Sequence, residues 1–235
     1  VAWPKILDKK ILKIPNFFTI GTHPTKLPFN KGRHPVHWSI VLGLKFNYLS
    51  FFRMDSGIDS GRILLQKKYI INKFPISKVM KILEETAYSG MYKLCKTLQN
   101  DPRYKGKQNN KRIDNFWRKR NIHDITLDPR MSGKVFINTV KSFSPPYSGS
   151  ILLTSTTNAF TIENAKEIEE CNRPSRWENR EYGYIFKINE KRITLKVTDT
   201  VLLLTYNNVG NQDIKYLKGY KIMPPSFYYE KMYKL

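Results

Sequence analysis

Residues 21–44 read GTHPTKLPFNKGRHPVHWSIVLGL, and residues 51–66 read FFRMDSGIDSGRILLQ. Just ahead of the first stretch, Phe17 to Ile20 is a short apolar run that Gly21 ends, the pattern of a buried strand. Pro35 to Leu44 predicts a helix, with proline at its start and Gly43 near its end. Tyr48 to Met54 alternates as a strand, DSGIDSG is a turn-rich loop, and Ile63 to Ile71 predicts the next strand. Short apolar elements broken by Gly and Pro have the texture of an α/β domain.

Outward from this region, Lys78 to Leu98 predicts the longest helix. Val79, Met80, Leu83, Ala87, Met91, Leu94, Cys95 and Leu98 recur at steps of three and four, which puts Cys95 on the apolar face as a core residue. Asp101 to Asn115 is polar, basic and glycine-containing, and reads as a linker. A short helix is expected from Ser132 to Phe143, ended by Pro145 and Pro146. Further on, Tyr184, Phe186 and Ile188 alternate, Asn189-Glu190 can turn, and Ile193, Leu195 and Val197 alternate again. Val201, Leu203 and Tyr206 offer a third strand, and the tail from Gly219 carries no clear pattern. The expected division is an α/β part over 1–102, a basic linker and helix over 103–142, and a small β-rich domain over 143–235.

The 235 residues are 40% hydrophobic and 13% aromatic, a composition that folds and buries a core. Forty-one Lys and Arg against 19 Asp and Glu give a net charge of +22. That excess fits a polyanionic partner, and it equally fits AT-rich coding, which favours Lys, Asn, Ile and Tyr. Cys95 and Cys171 lie 76 positions apart with no Cys/His cluster, which excludes a zinc ribbon, an iron–sulfur site and a disulfide scaffold. No metal is expected. No apolar run approaches the roughly 20 residues of a membrane span, and no signal peptide opens the sequence, so a cytoplasmic location is the default expectation.

Ionisable groups gather in one window: His23, His34, His37, Asp55 and Asp59. Histidine near a strand end can serve as acid or base, and an aspartate on a Gly-rich loop can orient it and stabilise its charge. The stretch from Gly21 to Leu44, followed by MDSGIDSG, resembles the folate-dependent formyltransferase family, which includes methionyl-tRNA formyltransferases and sugar N-formyltransferases. His23 matches the family's catalytic histidine and Asp59 its catalytic aspartate, 36 positions apart. Upstream, AWPKIL through IPNFFTIG resembles the family's strand and pterin-facing loop. Downstream, Gln108, Trp117 to Arg120, Asp124, Asp128 and the segment FSPPYSGS (143–150) resemble further family motifs in order.

The resemblance implies a Rossmann-like formyltransferase core with a parallel sheet, His23 at one strand end and Asp59 on the loop after another, followed by a small β-rich C-terminal domain. About 70–90 residues of the family pattern have no counterpart ahead of Val1, so an N-terminally truncated core is expected. It also implies transfer of a formyl group from N10-formyltetrahydrofolate to a primary amine. Trp3, Ile6, Leu7 and Ile58 would edge the folate; Arg33 and Thr25 would face the acceptor. The threonine after the histidine (HPT), the helix PVHWSIVLGLK and the run WRKR resemble the sugar branch, so a nucleotide-linked amino sugar is the expected acceptor. Methionyl-tRNA is the alternative, since tRNA binding is dominated by phosphate contacts and the chain is basic. A homodimer is compatible with either. One departure bears on activity: the family's Asn two positions before the histidine is Gly21 here. A preorganised donor of that kind contributes about 2.7–4 kcal/mol to a transition state. Thr22, Thr25 or a backbone N–H would have to replace it; otherwise the chain is a catalytically impaired relative.

Overall fold

Residues 7–109, 115–208 and 217–233 are described by the structure, a computed structural model; Trp3 and Ile6 lie outside them. Helix α1 (Lys9–Leu12) is short, and the Asp8 carboxylate caps it by accepting from Lys10 N. Then follow β1 (Ile20–His23), β2 (Lys31–Gly32), α2 (Pro35–Val41), β3 (Phe46–Arg53), β4 (Ile63–Ile70), α3 (Ile76–Asn100) and β5 (Phe116–Trp117). The second half holds α4 (Gly133–Phe143), β6 (Ser150–Leu153), β7 (Ala159–Glu167), β8 (Ile185–Ile188), β9 (Arg192–Lys196), β10 (Val201–Asn208) and α5 (Pro225–Tyr233). The chain forms two compact units. The first takes the residues up to Ser39, Leu44–Phe74 and Lys78–Arg120; the second takes Ile40–Gly43, Pro75–Ser77 and everything from Asn121.

In the first unit the sheet order is β1-β3-β4, and both pairings are antiparallel. The parallel sheet expected from the sequence is therefore corrected. Parallel pairing occurs among the described residues of this unit only in the two-residue β2/β5 ladder. The connection explains it: β3 and β4 are joined by a short turn, and so short a link can only return the chain antiparallel. Strand β3 is central and buried on both faces from Leu49 to Phe52 except for its exposed ends, so its apolar run is nearly continuous. Strand β1 begins at Ile20, three residues later than the apolar run predicts, because pairing with Arg53 to Ser50 fixes its limits.

Helix α3 is longer than its apolar periodicity, and its buried stripe runs through Val79, Gly90 and Leu94. Gly90 is needed at that contact: a Cβ there would lie 2.4 Å from the Phe51 ring. Cys95 is exposed, which corrects its expected core position. One step of 100° beyond Leu94 already carries it off the stripe. The segment after α3, read as a linker, is also different from expectation. Lys107 and Ile63 exchange backbone hydrogen bonds of 2.8 and 2.9 Å, and Asn109 is buried.

The second unit is built on a five-stranded antiparallel sheet in the order β6-β7-β10-β9-β8. Helix α4, capped by Ser132, lays Phe136 and Val140 onto it. Leu152, Phe160, Ile162, Ile185, Ile193, Leu195, Leu202 and Leu204 complete a core in which each is fully buried. The predicted β8–β9 turn is present, with Asn189 Oδ1 accepting from Lys191 N and Arg192 N. Among the described residues no helix is long and apolar enough to cross a membrane.

Candidate active site

The site begins with strand register. His23 is the last residue of β1, paired across to Ser50 of β3. The chain then turns through 24–30 and is pinned to the sheet by side chains. Ser50 Oγ donates to Thr25 O at 2.6 Å, Gln66 Nε2 to Leu27 O at 3.0 Å, and Tyr69 Oη to Pro24 O at 2.9 Å. Buried Tyr69 is held neutral by this setting, because burial pushes its phenol well above the ordinary value, outweighing the opposing bond to Ser39.

This turn brings Asn30 back to the histidine, where His23 Nε2 donates to Asn30 O at 2.9 Å. A carbonyl only accepts, so that ring nitrogen carries a proton and the other, Nδ1, faces away from it. Nδ1 lies 3.3 Å from Asp59 Oδ2. Asp59 Oδ2 also accepts from Gly32 N at 3.2 Å. Imidazole Nδ1 and carboxylate therefore face each other, with the ring 6% and the carboxylate 16% exposed. The carboxylate is the more accessible member.

Asp59 rides on the β3–β4 turn, which is tied to itself. Asp55 Oδ1 accepts from Gly57 N at 3.0 Å and Ser60 Oγ at 2.5 Å. Gly61 cannot carry a side chain, since a Cβ would collide with Arg53 O. Ile58 stands at the tip of this turn, 52% exposed, and Leu7 is half-buried next to the α1 cap. Arg33 is exposed beside the pair, its backbone N bonded to Trp117 O. Next to it Trp38 packs against Trp117 with ring centres 6.5 Å apart, and the guanidinium carbons of Arg118 and Arg120 lie 5.2 and 5.0 Å from the Trp38 ring.

Other residues singled out in the sequence are placed elsewhere. Thr25 is fully buried, its hydroxyl donating to Phe29 O at 2.8 Å, so it shapes the turn and presents no hydroxyl to a cleft. Thr22 alternates with His23 along β1 and so points to the opposite face of the sheet. His34 and His37 pair with each other, ring centres 5.8 Å apart. Asp124 closes a capping box with Asn121, and Asp128 grips Arg130. Gly21 sits on the His23 face, but its missing side-chain volume is occupied: a Cβ would meet Phe52 Cζ at 2.8 Å and Met54 Cγ at 2.9 Å.

The residues that the sequence reading missed are the holders: Ser50, Gln66, Asn109 and Asn115. Asn115 Oδ1 accepts from Asn30 N and its Nδ2 donates to Asn30 Oδ1, both at 2.8 Å. A polar side chain between Leu49 and Phe51 in an otherwise buried strand was the one available signal for Ser50.

Residues 1–93 match the formyl transferase family. A methionyl-tRNA formyltransferase of Prochlorococcus marinus is 40% identical over 73 residues, which cover 31% of this chain and 22% of that protein. The chain thus matches about a fifth of that relative's length. A second, from Caldicellulosiruptor saccharolyticus, is 28% identical over 232 residues, covering 94% of this chain and 70% of that one. The fold is that of solved formyltransferases. An N-formyltransferase from Helicobacter canadensis, solved with folinic acid and dTDP-3-aminofucose, superposes with a TM-score of 0.62 at 16% identity, over 88% of this chain and 71% of that one. Among the described residues no cluster of His, Cys, Asp or Glu could hold a metal ion.

Proposed function

We propose that the chain transfers a formyl group from N10-formyltetrahydrofolate to the primary amine of a nucleotide-linked amino sugar. The observation that carries this reading is the His23–Asp59 pair, with Nε2 of the ring fixed by Asn30 O and Nδ1 facing the carboxylate. The amine attacks the formyl carbon and must lose a proton; the formyl oxygen becomes an oxyanion. The pair takes that proton onto Asp59 or His23 Nδ1, and Gly32 N steadies the carboxylate throughout. Collapse of the tetrahedral intermediate re-forms the carbonyl and expels the folate nitrogen, which receives a proton in turn. A protonated ring supplies positive charge near the developing oxyanion, partly offsetting the donor that Gly21 lacks.

For the acceptor, the support is the ledge beside Arg33. Half-buried Trp117 offers an aromatic ring for a base, and exposed Arg33 and Lys119 offer cations for a diphosphate. Edging of the folate by Trp3, Ile6, Leu7 and Ile58 belongs to the same proposal. Methionyl-tRNA is the second reading, favoured by the +22 charge and the tRNA-directed relatives.

Salt separates them. Each phosphate contact adds roughly 0.7–0.9 to the log–log salt slope of binding. A nucleotide sugar engaging about two phosphates should therefore show a shallow slope, with formyl transfer to its amine. Steep, tight tRNA binding with no transfer to amino sugars would replace the first reading with the second.

A further inference from the structure

The segment joining α3 to β5 grips the turn that carries Asp59 at two carbonyls that take no part in the reaction. Asn109 is 1% exposed, and its side-chain nitrogen donates to Asp59 O at 3.0 Å and to Gly61 O at 3.1 Å. Both partners only accept, so the amide has one chemically sensible orientation, nitrogen towards the turn. Asp59 itself has φ +49. That left-handed region disfavours residues with a Cβ, and although aspartate enters it more readily than most, its contacts must select it here.

The two gripped carbonyls bracket Ser60, and one of them is Asp59's own. Turning Asp59 back to an ordinary conformation would swing its carbonyl off Asn109 and its carboxylate off His23 and Gly32 together. A second set of contacts supports the first. The Arg62 guanidinium donates to Lys105 O at 2.8 Å, Gly106 O at 3.0 Å and Gln108 Oε1 at 2.8 Å. Gly106, at φ +63, lets the strap approach: a Cβ would lie 2.3 Å from Ile63 O.

We infer that Asn109 is a positioning residue that locks the left-handed conformation of Asp59 and thereby aims its carboxylate at His23. The 54–62 turn is then a preset arm, held before any substrate arrives. The kinetic consequence rests on the proposed formyl transfer; the structural consequence does not.

The test uses the 235-residue chain with Asn109→Ala, Asn109→Asp and Arg62→Ala. Side-chain 15N NMR reads the His23 ring, assigned with His23→Ala, and Asp59→Asn marks a broken pair. Asn109→Asp keeps the shape and removes both donors. Both Asn109 variants should move the His23 Nδ1 signal towards its Asp59→Asn position, and Arg62→Ala should move it part of the way. Formyl transfer should lose on the order of hundredfold in kcat, with KM for both substrates little changed. An unmoved His23 signal in a folded Asn109 variant overturns the inference. If neither Asn109 variant folds, an unmoved signal in Arg62→Ala overturns it. Should the unaltered chain formylate no amine while the signals move as expected, the functional reading fails and the positioning role stands.

Discussion

In the first unit, the turn after His23 and the turn bearing Asp59 are held by directed polar contacts: Ser50, Gln66 and Tyr69 on one, Asn109 and Arg62 on the other. In the second unit, the β6–β10 sheet is held by apolar area, with Phe136, Phe160, Ile193 and Leu204 all fully buried. Area tolerates exchange among residues of similar size. A donor aimed at one carbonyl does not, because its loss leaves a buried acceptor unsatisfied. The two regions should therefore fail in different ways.

The largest expected effect tests the first region. His23→Ala or Asp59→Asn should lower formyl transfer by about 10²–10⁴-fold, while thermal unfolding remains cooperative; retained activity in either would remove the pair from the chemistry. Next, Phe136→Ala should cost the second unit about 3–5 kcal/mol. Amide exchange would find β9 and β10 deprotected and β3 unchanged, and equal loss in both would break the contrast between the regions. Gly21→Asn follows. The space on that face is filled by Phe52 and Met54, so overpacking should lower stability by about 1–3 kcal/mol. A faster enzyme of unchanged thermal midpoint would refute this.

The fourth effect depends on pH. Folded Tyr69 keeps its proton above pH about 10, where the unfolded chain gives its own up, so the folded state binds more protons and stability falls as pH rises. The slope from this group is up to about 1.4 kcal/mol per pH unit, and Tyr69→Phe should flatten the alkaline limb of a denaturation series. The smallest is Ser132→Ala. Loss of the cap on α4 should cost about 1 kcal/mol, read as a small shift of the denaturation midpoint.

Periodicity made α3, α4, β8, β9 and β10 legible, since each repeats apolar residues on a buried face. It misplaced Cys95 because a stripe of three- and four-residue steps admits neighbours on its margin, and only tertiary packing selects Leu94, which is buried, over the next residue, which is not. Strands β6 and β7 escaped because SILLTSTTNAFTIENAKE mixes threonine and asparagine into its alternation. At the site, His23 and Asp59 were legible through the resemblance of their two segments to formyltransferases, and the fold brings them within 3.3 Å. Their holders were not: Asn109 and Asn115 act through backbone groups 50 and 85 positions away, and a polar, basic stretch gives no sign of which carbonyl it will meet.

Gly21 and Phe52 are conditional on one another. Because the phenyl ring stands where a Cβ at 21 would be, the effect of any substitution at 21 depends on the residue already present at 52. Asparagine introduced first meets the ring, whereas Phe52→Ala introduced first removes the nearer obstruction and leaves only Met54 Cγ, 2.9 Å from the Cβ position, to give way. The two changes should be non-additive in stability, and the order in which they are made decides whether the intermediate survives. A side chain at position 21 is thus kept out by its neighbours, a ratchet set by van der Waals volume and not by chemistry at the His23–Asp59 pair.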